Sequence, residues 1–369
     1  MFHIYRHSSI TLSESPGVKT GTRGKVARLI AEMRGEPVLG LVKKFGDPDA
    51  SRSLVVSTNR LFNVVARPSL SYRLIVNLEQ VNSIRGLSHF LAEVNRQLPL
   101  NGRLVCCLET SSLRKRRIYQ TYPGLTGKLY HLFDYLLFRV MPAMKWTRWI
   151  NRLLTARFHH VISYYEMLGR LNYCGFETEH DEEVDGRHYV VARKVSSSPQ
   201  HPVENYGMIV GLNRIGKGGK TIKVYKFRTM VPFSEYVQDY IYRQNRLQSG
   251  GKFMNDKRIT REGRYLRKLW IDEIPMVINW FKGEVKLVGV RPLSSQYLGL
   301  YDIDVIHRRT AVLPGLIPPY YADLPSTLDE IQASEMRYLE RWEKAPLRTD
   351  FLYLFRAMWN IFFRGARSR

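Results

Sequence analysis

The chain has 369 residues, of which 44% are hydrophobic, so it is long enough and apolar enough to bury the cores of two domains. Its 57 lysine and arginine residues exceed the 33 acidic residues and give a formal net charge of +24, which favours an anionic partner. Three cysteines without metal-ligand spacing exclude a disulfide framework and a Cys/His metal site. No known nucleic-acid-binding motif occurs, so we expect phosphorylated molecules or an anionic membrane surface rather than nucleic acid.

The N-terminal half alternates strand and helix patterns. Three short aliphatic runs predict buried strands, at residues 53–57, 72–78 and 102–108. Between the last two, four apolar residues at helical spacing predict an amphipathic helix: Leu87, Phe90, Leu91 and Val94. This order with short connections predicts a parallel α/β sheet, in which Cys106 and Cys107 point to opposite faces. A further helix is predicted to end at Gly175, before a β-hairpin that closes on residues 189–195.

Residues 70–194 resemble the back half of a class I methyltransferase-like domain, which has a Rossmann-like fold. The resemblance rests on Leu-Pro-Leu-Asn-Gly-Arg-Leu-Val at residues 98–105 and on Cys-Gly-Phe-Glu at residues 174–177. That family needs a glycine-rich turn after its first strand so that the cofactor can approach the backbone. The upstream glycines lack that spacing. The resemblance therefore implies a degenerate module used for packing or partner binding, and a working methyltransferase with an accessory basic domain is the alternative.

In the second half, residues 207–230 predict a β-hairpin. Apolar residues alternate along its second arm, and three glycines allow a tight turn: Gly216, Gly218 and Gly219. Lys226 and Arg228 are two residues apart, so a regular strand places both on one face. Two cations on one face suit a phosphate group. They fit equally well a solvated basic strand edge, which blunts edge-to-edge pairing.

A basic helix followed by two adjacent acids is predicted next. Three basic residues have the spacing that a helix places on one face: Arg261, Arg264 and Lys268. Four apolar residues are predicted to make contacts elsewhere on that helix: Leu266, Leu269, Trp270 and Ile274. Asp272 and Glu273 then stand side by side, just before Pro275. They fit either salt bridges at a helix end or a carboxylate nucleophile beside a metal-binding carboxylate.

These motifs resemble the bacterial sugar transferase family, the monotopic phosphoglycosyl transferases of glycan assembly. The resemblance rests on Arg-Ile-Thr-Arg-x-Gly-Arg-x-Leu-Arg-Lys at residues 258–268, Ile-Asp-Glu-Ile-Pro at 271–275 and Lys-Gly-Glu-x-x-Leu-Val-Gly-x-Arg-Pro at 282–292. Lys-Phe-Arg-Thr-Met at residues 226–230 is the upstream element of the same signature. The match runs from about Gly207 to the C-terminus with the motif order and spacing intact.

The resemblance implies a mixed α/β sugar-transferase domain at residues 201–369, after a Rossmann-like module at residues 1–200. The polar stretch 195–205 is the predicted linker. The implied activity moves a phosphosugar from a UDP-sugar to polyprenyl (undecaprenyl) phosphate in exopolysaccharide, capsule or lipopolysaccharide synthesis. Its implied location is the cytoplasmic face of the bacterial inner membrane, as a peripheral or monotopic protein. A non-catalytic homologue that acts as a binding or regulatory partner is the alternative.

The same resemblance implies roles for individual residues. Asp272 is the implied nucleophile, which forms an aspartyl-phosphosugar intermediate, and Glu273 is its partner, which helps to hold Mg²⁺. Attack on a diphosphate brings two anions together, so a divalent metal and several cations must neutralise that charge. Six basic residues are the candidate phosphate ligands: Lys226, Arg228, Arg258, Arg261, Arg264 and Arg291.

Two features depart from the family pattern. Val290 replaces the first proline of the usual Gly-Pro-Arg-Pro motif. The long hydrophobic re-entrant helix that the family carries before its first motif is missing, and no signal peptide or run of ~18 apolar residues is found. The nearest apolar run, residues 129–144, is interrupted by Asp134 and Arg139, and we interpret it as a core-facing helix with a proline kink.

Membrane contact is therefore predicted at the C-terminus. Six residues there form an apolar stripe at helical spacing: Phe351, Leu354, Phe355, Met358, Trp359 and Phe362. Flanking arginines make this segment fit an interfacial helix on anionic lipid. A helix that closes the domain core is the alternative, and the two can coexist. Upstream, Tyr320 and Tyr321 fit either stacking on a nucleobase or sugar or packing in the core.

Overall fold

The computed structural model describes residues 10–11, 24–65, 72–143, 147, 149–150, 159–204, 206–238, 240–241 and 256–364. The chain divides into two compact units. The first contains Met1–Tyr206 and Val231–Asn245, and the second contains Gly207–Met230 and Arg246–Arg369. Both units combine helices with β-structure, which confirms the predicted α/β class.

A six-stranded sheet in the order β1-β2-β3-β4-β6-β5 forms the centre of the first unit. Its strands are β1 (Ile10–Thr11), β2 (Ser53–Ser57), β3 (Leu74–Gln80), β4 (Arg103–Leu108), β5 (Phe176–Val184) and β6 (Arg187–Lys194). Strands β2, β3 and β4 are parallel, whereas β5 and β6 form an antiparallel hairpin whose second strand pairs with β4. The predicted parallel strands and closing hairpin are therefore confirmed. The methyltransferase-like assignment stays a prediction.

Helices pack on both faces of this sheet. The described helices of the first unit are α1 (Lys25–Arg34), α2 (Glu36–Phe45), α3 (Phe62–Val65), α4 (Leu87–Gln97), α5 (Ser111–Thr121), α6 (Gly124–Tyr135), α7 (Met141–Ala143) and α8 (Tyr164–Tyr173). Because strand side chains alternate between faces, Cys106 packs in one core with Phe90 of α4. Cys107 packs in the other core with Ile30 of α1 and Val42 of α2. Both the amphipathic helix α4 and the opposite orientation of the two cysteines are confirmed.

Helix α6 and the π-helical turn that follows it, Leu136–Val140, do not face a core. Within α6 only Gly127 and Asp134 are buried, while Leu129 and Phe133 are exposed. The prediction of a core-facing helix is therefore wrong for the described residues 129–143, because a polar side chain rather than the apolar ones points inward. In the part of the chain that the structure describes, no helix has the length and hydrophobicity needed to cross a membrane.

The second unit contains two separate two-stranded sheets. Its strands are β7 (Ile209–Ile215), β8 (Thr221–Phe227), β9 (Lys286–Val288) and β10 (Gly315–Ile317). Strands β7 and β8 form the predicted antiparallel hairpin, with Gly218 and Gly219 at φ 67° and 72° in its turn. Glycine adopts this left-handed backbone without steric cost. Strands β9 and β10 are parallel.

Seven α-helices are described in the second unit. They are α9 (Arg261–Lys268), α10 (Val277–Phe281), α11 (Ser295–Leu298), α12 (Ile303–Ala311), α13 (Tyr320–Asp323), α14 (Leu328–Lys344) and α15 (Pro346–Phe363). Their core contains three fully buried tyrosines, Tyr321, Tyr338 and Tyr353, which confirms core packing for Tyr321. Val290 is buried in the same core, so the residue that replaces the family proline supplies packing.

Helix α9 is shorter than the sequence pattern suggests. It ends at Lys268, and Trp270 adopts φ 62°, which turns the chain into a 3₁₀ helix over Ile271–Met276. Leu269 and Ile274 are consequently exposed, so the prediction that they make apolar contacts on a continuing helix is wrong. This change of direction positions the two acids.

Candidate active site

Asp272 and Glu273 lie on the 3₁₀ helix that follows Trp270. The indole nitrogen of Trp270 donates a hydrogen bond to the Tyr321 hydroxyl at 3.2 Å, which anchors the start of this turn in the core. A 3₁₀ helix has about three residues per turn, so adjacent side chains diverge by about 120°. Glu273 is accordingly buried, whereas Asp272 is half-buried. The two carboxylates therefore occupy different surroundings.

Glu273 is held between two cations. Lys226 Nζ, from the end of β8, donates to Glu273 Oε1 at 2.5 Å. The Arg291 guanidinium lies 3.8 Å from the same oxygen and donates to the Tyr320 hydroxyl at 2.8 Å. Residues from two other sequence segments therefore converge on the second acid of the pair, and a third segment supplies the Tyr320 hydroxyl that contacts Arg291.

A buried asparagine fixes the strand that carries Lys226. Asn279 of α10 is fully buried and donates to the Lys223 carbonyl at 2.8 Å, while its side-chain oxygen accepts from the Tyr225 amide at 3.0 Å. These two bonds tie β8 to the helix that continues directly from the acid turn. Sequence reasoning missed Asn279. Its only signal there is a single polar residue within the apolar run at 276–281.

A buried ion pair holds the backbone at Arg291 in place. Arg309 of α12 donates to the Arg291 carbonyl at 2.7 Å. The Arg309 guanidinium lies 3.0 Å from Glu335 of α14, and both side chains are almost completely buried. Burial raises the pKa of Glu335, and Arg309 opposes that effect. The backbone at Arg291 is thus fixed by charge as well as by packing.

The surroundings shift the pKa values of the site. Burial, and next the negative charge of Glu273, raise the pKa of Asp272, although Lys226 and Arg267 oppose this. Burial lowers the pKa of Lys226 against the opposing pull of Glu273. Burial by itself also disfavours the Arg291 cation, but Tyr320 and Glu273 hold its pKa above the ordinary value. The site therefore combines a carboxylate that is costly to ionise with cations that attract anions.

Arg267 is a further cation near Asp272, and it was not among the predicted candidates. It opposes the rise in the pKa of Asp272, and its Nε donates to Thr229 Oγ1 at 2.9 Å. Thr229 follows β8, so this bond connects α9 to the same strand end that supplies Lys226. Arg267 is three residues after Arg264, a spacing that could have identified it.

The other predicted phosphate ligands have different positions. Arg258 is buried and forms a bidentate ion pair with Asp256, at 2.7 Å between Nη2 and Oδ2. Arg228 Nε donates to the Gly207 carbonyl at 3.1 Å. Arg261 and Arg264 are exposed on α9, which confirms the predicted basic helix. Within the described residues, the structure brings Lys226 and Arg291 to Glu273 but records no side-chain contact from Arg258, Arg261 or Arg264 to either acid.

A second charged cluster anchors the closing helix α15. Lys286 of β9 contacts Asp350 at 3.2 Å and the Tyr338 hydroxyl at 2.8 Å. Tyr338 also donates to Asp350 at 2.5 Å. The Lys286 ammonium lies 4.0 Å from the ring centroid of Trp342, a cation–π contact. This cluster joins β9, α14 and α15 and has a structural role.

The closing helix has two apolar faces. Tyr353, Ala357 and Ile361 are buried in the core, whereas Phe355 and Trp359 are exposed. The interpretation as a core-closing helix is therefore confirmed, and the predicted apolar stripe largely faces solvent. Contact of the exposed face with lipid remains a prediction.

Comparison with known proteins finds similarity in the C-terminal part of the chain. Residues 203–364 match the family model of the bacterial sugar transferases. This match confirms the recognition of a sugar transferase domain in the second half of the chain.

Individual relatives agree with this assignment. A UDP-N-acetylgalactosamine-undecaprenyl-phosphate N-acetylgalactosaminephosphotransferase of Aeromonas hydrophila is 31% identical over 170 residues, which are 43% of this chain and 36% of the relative. An undecaprenyl-phosphate galactose phosphotransferase of Salmonella typhimurium is 39% identical over 102 residues, 26% of this chain and 21% of the relative. The exopolysaccharide production protein ExoY of Rhizobium meliloti is 39% identical over 97 residues, 25% of this chain and 43% of the relative. The matches span less than half the length of each of these relatives.

Proposed function

We propose that this chain, with a bacterial sugar transferase domain at residues 203–364, moves a phosphosugar from a UDP-sugar to polyprenyl phosphate. The observation that supports it most directly is the adjacent pair Asp272 and Glu273 beside Lys226 and Arg291. Both substrates are phosphate anions, which fits these cations and the net charge of +24. Two of the relatives are named for phosphotransfer to undecaprenyl phosphate. The product would serve exopolysaccharide, capsule or lipopolysaccharide assembly.

The reaction takes place in two steps at Asp272. In the first, an Asp272 carboxylate oxygen attacks the β-phosphorus of the UDP-sugar, and the bond from this phosphorus to the bridging oxygen breaks. UMP leaves with the electron pair, and the phosphosugar remains bonded to Asp272 as an acyl phosphate. In the second, a phosphate oxygen of polyprenyl phosphate attacks the same phosphorus. The Asp272 carboxylate leaves, and polyprenyl-diphospho-sugar is formed.

The cations of the site favour this chemistry. Attack of a carboxylate on a diphosphate brings negative charges together, so nearby cations lower the barrier as charge accumulates on the phosphoryl oxygens. Lys226 and Arg291 are already directed at Glu273. The fork of Arg291 suits a phosphate group better than an ammonium does. We assign the phosphate-binding role first to these two residues and retain Arg228, Arg258, Arg261 and Arg264 as weaker candidates.

The acid pair also fits a magnesium ion. Mg²⁺ typically takes one or two protein carboxylates and completes its shell with water and phosphate oxygens. Asp272 and Glu273 provide two carboxylates, and among the described residues no cluster of three or more His, Cys, Asp or Glu surrounds them. Burial, and next the charge of Glu273, raise the pKa of Asp272, so an additional cation beside it would favour its ionised form. A bound Mg²⁺ would neutralise diphosphate charge, and Glu273 would be its principal ligand.

We place the protein at the cytoplasmic face of the inner membrane, as a peripheral or monotopic protein. A polyprenyl phosphate is confined to the bilayer, so the acceptor must be met at its surface. The exposed stripe of α15, which includes Phe355 and Trp359, provides apolar area of the kind that inserts at a lipid interface.

Transfer of radiolabel tests the proposal. The full chain is incubated with a panel of labelled UDP-sugars, undecaprenyl phosphate and Mg²⁺, and the organic phase is counted. Wild type is expected to label the lipid with one of the sugars, and Asp272→Asn to lose at least about 10⁴-fold of the rate. Asp329→Asn, which changes an exposed acid on α14, is the matched control and should keep full activity.

Intact mass measurement provides the second readout. Without the lipid acceptor, wild type should gain the mass of one phosphosugar, and Asp272→Asn should gain none. Background labelling by both proteins with every donor, together with no mass gain, would contradict the proposal. That result would favour the non-catalytic homologue.

A further inference from the structure

The first unit carries an exposed apolar surface that the proposed reaction does not use. Helix α6 and the following π-helical turn span 12 and 5 residues and present six large apolar side chains to solvent. These side chains are 41% to 70% exposed: Leu125, Leu129, Tyr130, Leu132, Phe133 and Leu136. Single exposed hydrophobic residues are common on soluble proteins, but a group of six on one segment indicates an interaction surface. We call it the α6 face.

Both charged side chains that interrupt this apolar run are directed inward. Asp134 forms a buried, bidentate ion pair with Arg114 of α5, at 2.6 and 2.7 Å. Arg139 donates to Glu166 at 2.5 Å and to the Val161 carbonyl at 2.9 Å. The acid in the sequence of α6 therefore does not reach the surface. The outer side of the helix is apolar although its sequence looks amphipathic.

The surroundings of the α6 face are basic and aromatic. Helices α5 and α6 together contain five basic side chains and one acidic side chain, which is the buried Asp134. Lys128 is exposed within α6, and the Arg116 side chain of α5 is 57% exposed and pairs with Glu183 at 2.8 Å. Tyr122 and Tyr130 stack at 4.9 Å between ring centroids. Tyrosines and long basic side chains are the residues that settle at the level of lipid headgroups.

We propose that the α6 face is a second membrane contact, by which the first unit lies on an anionic phospholipid surface. Gly124–Tyr135 and the π-helical turn would lie parallel to the bilayer, with Leu129 and Phe133 inserted and the basic residues at the headgroups. The positive charge around the α6 face favours an anionic lipid surface over a second copy of the chain. A second copy of the chain would bring the same basic rim against itself, whereas anionic headgroups complement it. This inference concerns the first unit and needs no sugar nucleotide, so it stands or fails apart from the proposed reaction.

A fluorescent label on the helix tests the contact directly. Leu129→Cys is labelled in the full chain with an environment-sensitive dye, which is feasible because the three native cysteines are buried. Vesicles of phosphatidylglycerol and phosphatidylethanolamine are added. A blue shift and an intensity increase are expected at position 129. The same dye at Leu100→Cys, an isolated exposed position of the first unit, should not respond.

Paired variants provide the binding measurement. Leu129→Gln/Phe133→Gln is expected to weaken sedimentation with these vesicles at least about tenfold, because two large apolar side chains no longer insert. Phe62→Gln/Leu100→Gln removes the same number of exposed apolar side chains from other places in the first unit and should stay within about twofold of wild type. Circular dichroism and thermal unfolding verify that each variant is folded.

Two results would overturn the proposal. One is the absence of a dye response at position 129, whether or not a label at Phe355→Cys on the closing helix responds. The other is a change from dimer to monomer that Leu129→Gln/Phe133→Gln causes without vesicles, because the α6 face would then bind a second copy of the chain. Analytical ultracentrifugation detects this second case.

Discussion

At the scale of single residues, the two acids differ because a tight turn separates their side chains. Glu273 is paired with Lys226 at 2.5 Å, whereas Asp272 keeps a raised pKa, caused by burial and by its neighbour's charge. A carboxylate that is poorly stabilised by its surroundings is a better nucleophile than one held in a strong ion pair. This contrast is the physical reason to assign attack to Asp272 and a supporting role to Glu273.

The raised pKa of Asp272 predicts a gain of stability when its charge is removed. A carboxyl group whose folded-state pKa exceeds its ordinary value of 3.8 contributes stability only while it is protonated, and this contribution is lost as pH rises through the folded-state pKa. Asp272→Asn should therefore unfold at a higher temperature than wild type at about pH 7, and the difference should shrink towards about pH 4. Scanning calorimetry at both pH values measures this. A lower melting temperature for the variant at about pH 7 would show that the carboxylate is stabilised.

We predict that Arg291→Lys loses transfer activity although it keeps the positive charge. The Arg291 guanidinium contacts both Glu273 and the Tyr320 hydroxyl, and one ammonium cannot reproduce this fork. Arg291→Lys should lower kcat/KM by about 10²-fold, as measured with the radiolabelled donor. Arg308→Lys, a substitution at a partly exposed position of α12, should leave the rate unchanged. Equal rates for the two variants would remove Arg291 from the site.

We predict that replacing Arg309, which lies next to the site, strongly lowers the free energy of unfolding. Its removal leaves Glu335 buried and unpaired, which typically costs about 3–5 kcal/mol. Arg309→Met should therefore show this loss in urea unfolding of the full chain, and Arg309→Met/Glu335→Leu should recover part of it. The neighbouring pair of Arg308 and Glu343, which solvent reaches, is the control, because Arg308→Met should cost less than about 1 kcal/mol. A small effect of Arg309→Met would show that water reaches Glu335.

At the scale of elements, the site depends on close backbone contacts that only glycine permits. Strands β9 and β10 approach so closely that a Cβ at Gly315 would lie 2.0 Å from the Gly289 amide nitrogen. Gly289 is two residues before Arg291, so this contact sets the path of the chain into the site. Similarly, a Cβ at Gly263 of α9 would lie 2.1 Å from the Thr229 carbonyl. These backbone contacts explain why glycine stands at these motif positions, which the charged residues of the motifs do not explain.

Gly315→Ala is predicted to destabilise the second unit by about 3 kcal/mol, because backbone atoms cannot move aside as a flexible side chain can. The shift of the β9–β10 pair should also reduce transfer activity, since Arg291 moves with it. Gly299→Ala is the matched control. Its Cβ would meet only ordinary contacts of 3.5 Å and beyond, so it should change stability by less than about 1 kcal/mol. Urea unfolding distinguishes the two, and equal midpoints would contradict the close approach.

At the scale of the whole molecule, the net charge of +24 predicts a strong salt dependence of membrane binding. The screening length falls from about 10 Å at 0.1 M salt to about 3 Å at 1 M. Binding to vesicles that contain phosphatidylglycerol should therefore weaken at least about tenfold over this range, as measured by sedimentation. Binding to phosphatidylcholine vesicles should be weak throughout and nearly independent of salt. Salt-independent binding to the anionic vesicles would contradict this prediction and show that apolar insertion alone drives the binding.

The sequence by itself was enough for the elements whose patterns are local. Hydrophobic periodicity predicted helix α4 and the parallel strands, and the glycine turn predicted the β7–β8 hairpin. Motif order and spacing indicated the resemblance to bacterial sugar transferases, whose family model matches residues 203–364. These features can be predicted from the sequence because spacing along a helix or strand determines which side chains share a face. This holds regardless of how the element packs in the tertiary structure.

Only the tertiary structure decided which charges act together. Lys226, Glu273 and Arg291 are far apart in sequence but meet at one oxygen, while the equally plausible Arg258 is paired with Asp256. Periodicity likewise could not show that Asp134 turns inward and leaves the apolar side of α6 in solvent. The physical reason is that a charged side chain points to the partner that the fold brings within reach. For Glu273 and Asp134 that partner comes from another element of the fold, whereas Arg258 is taken up by its near neighbour Asp256.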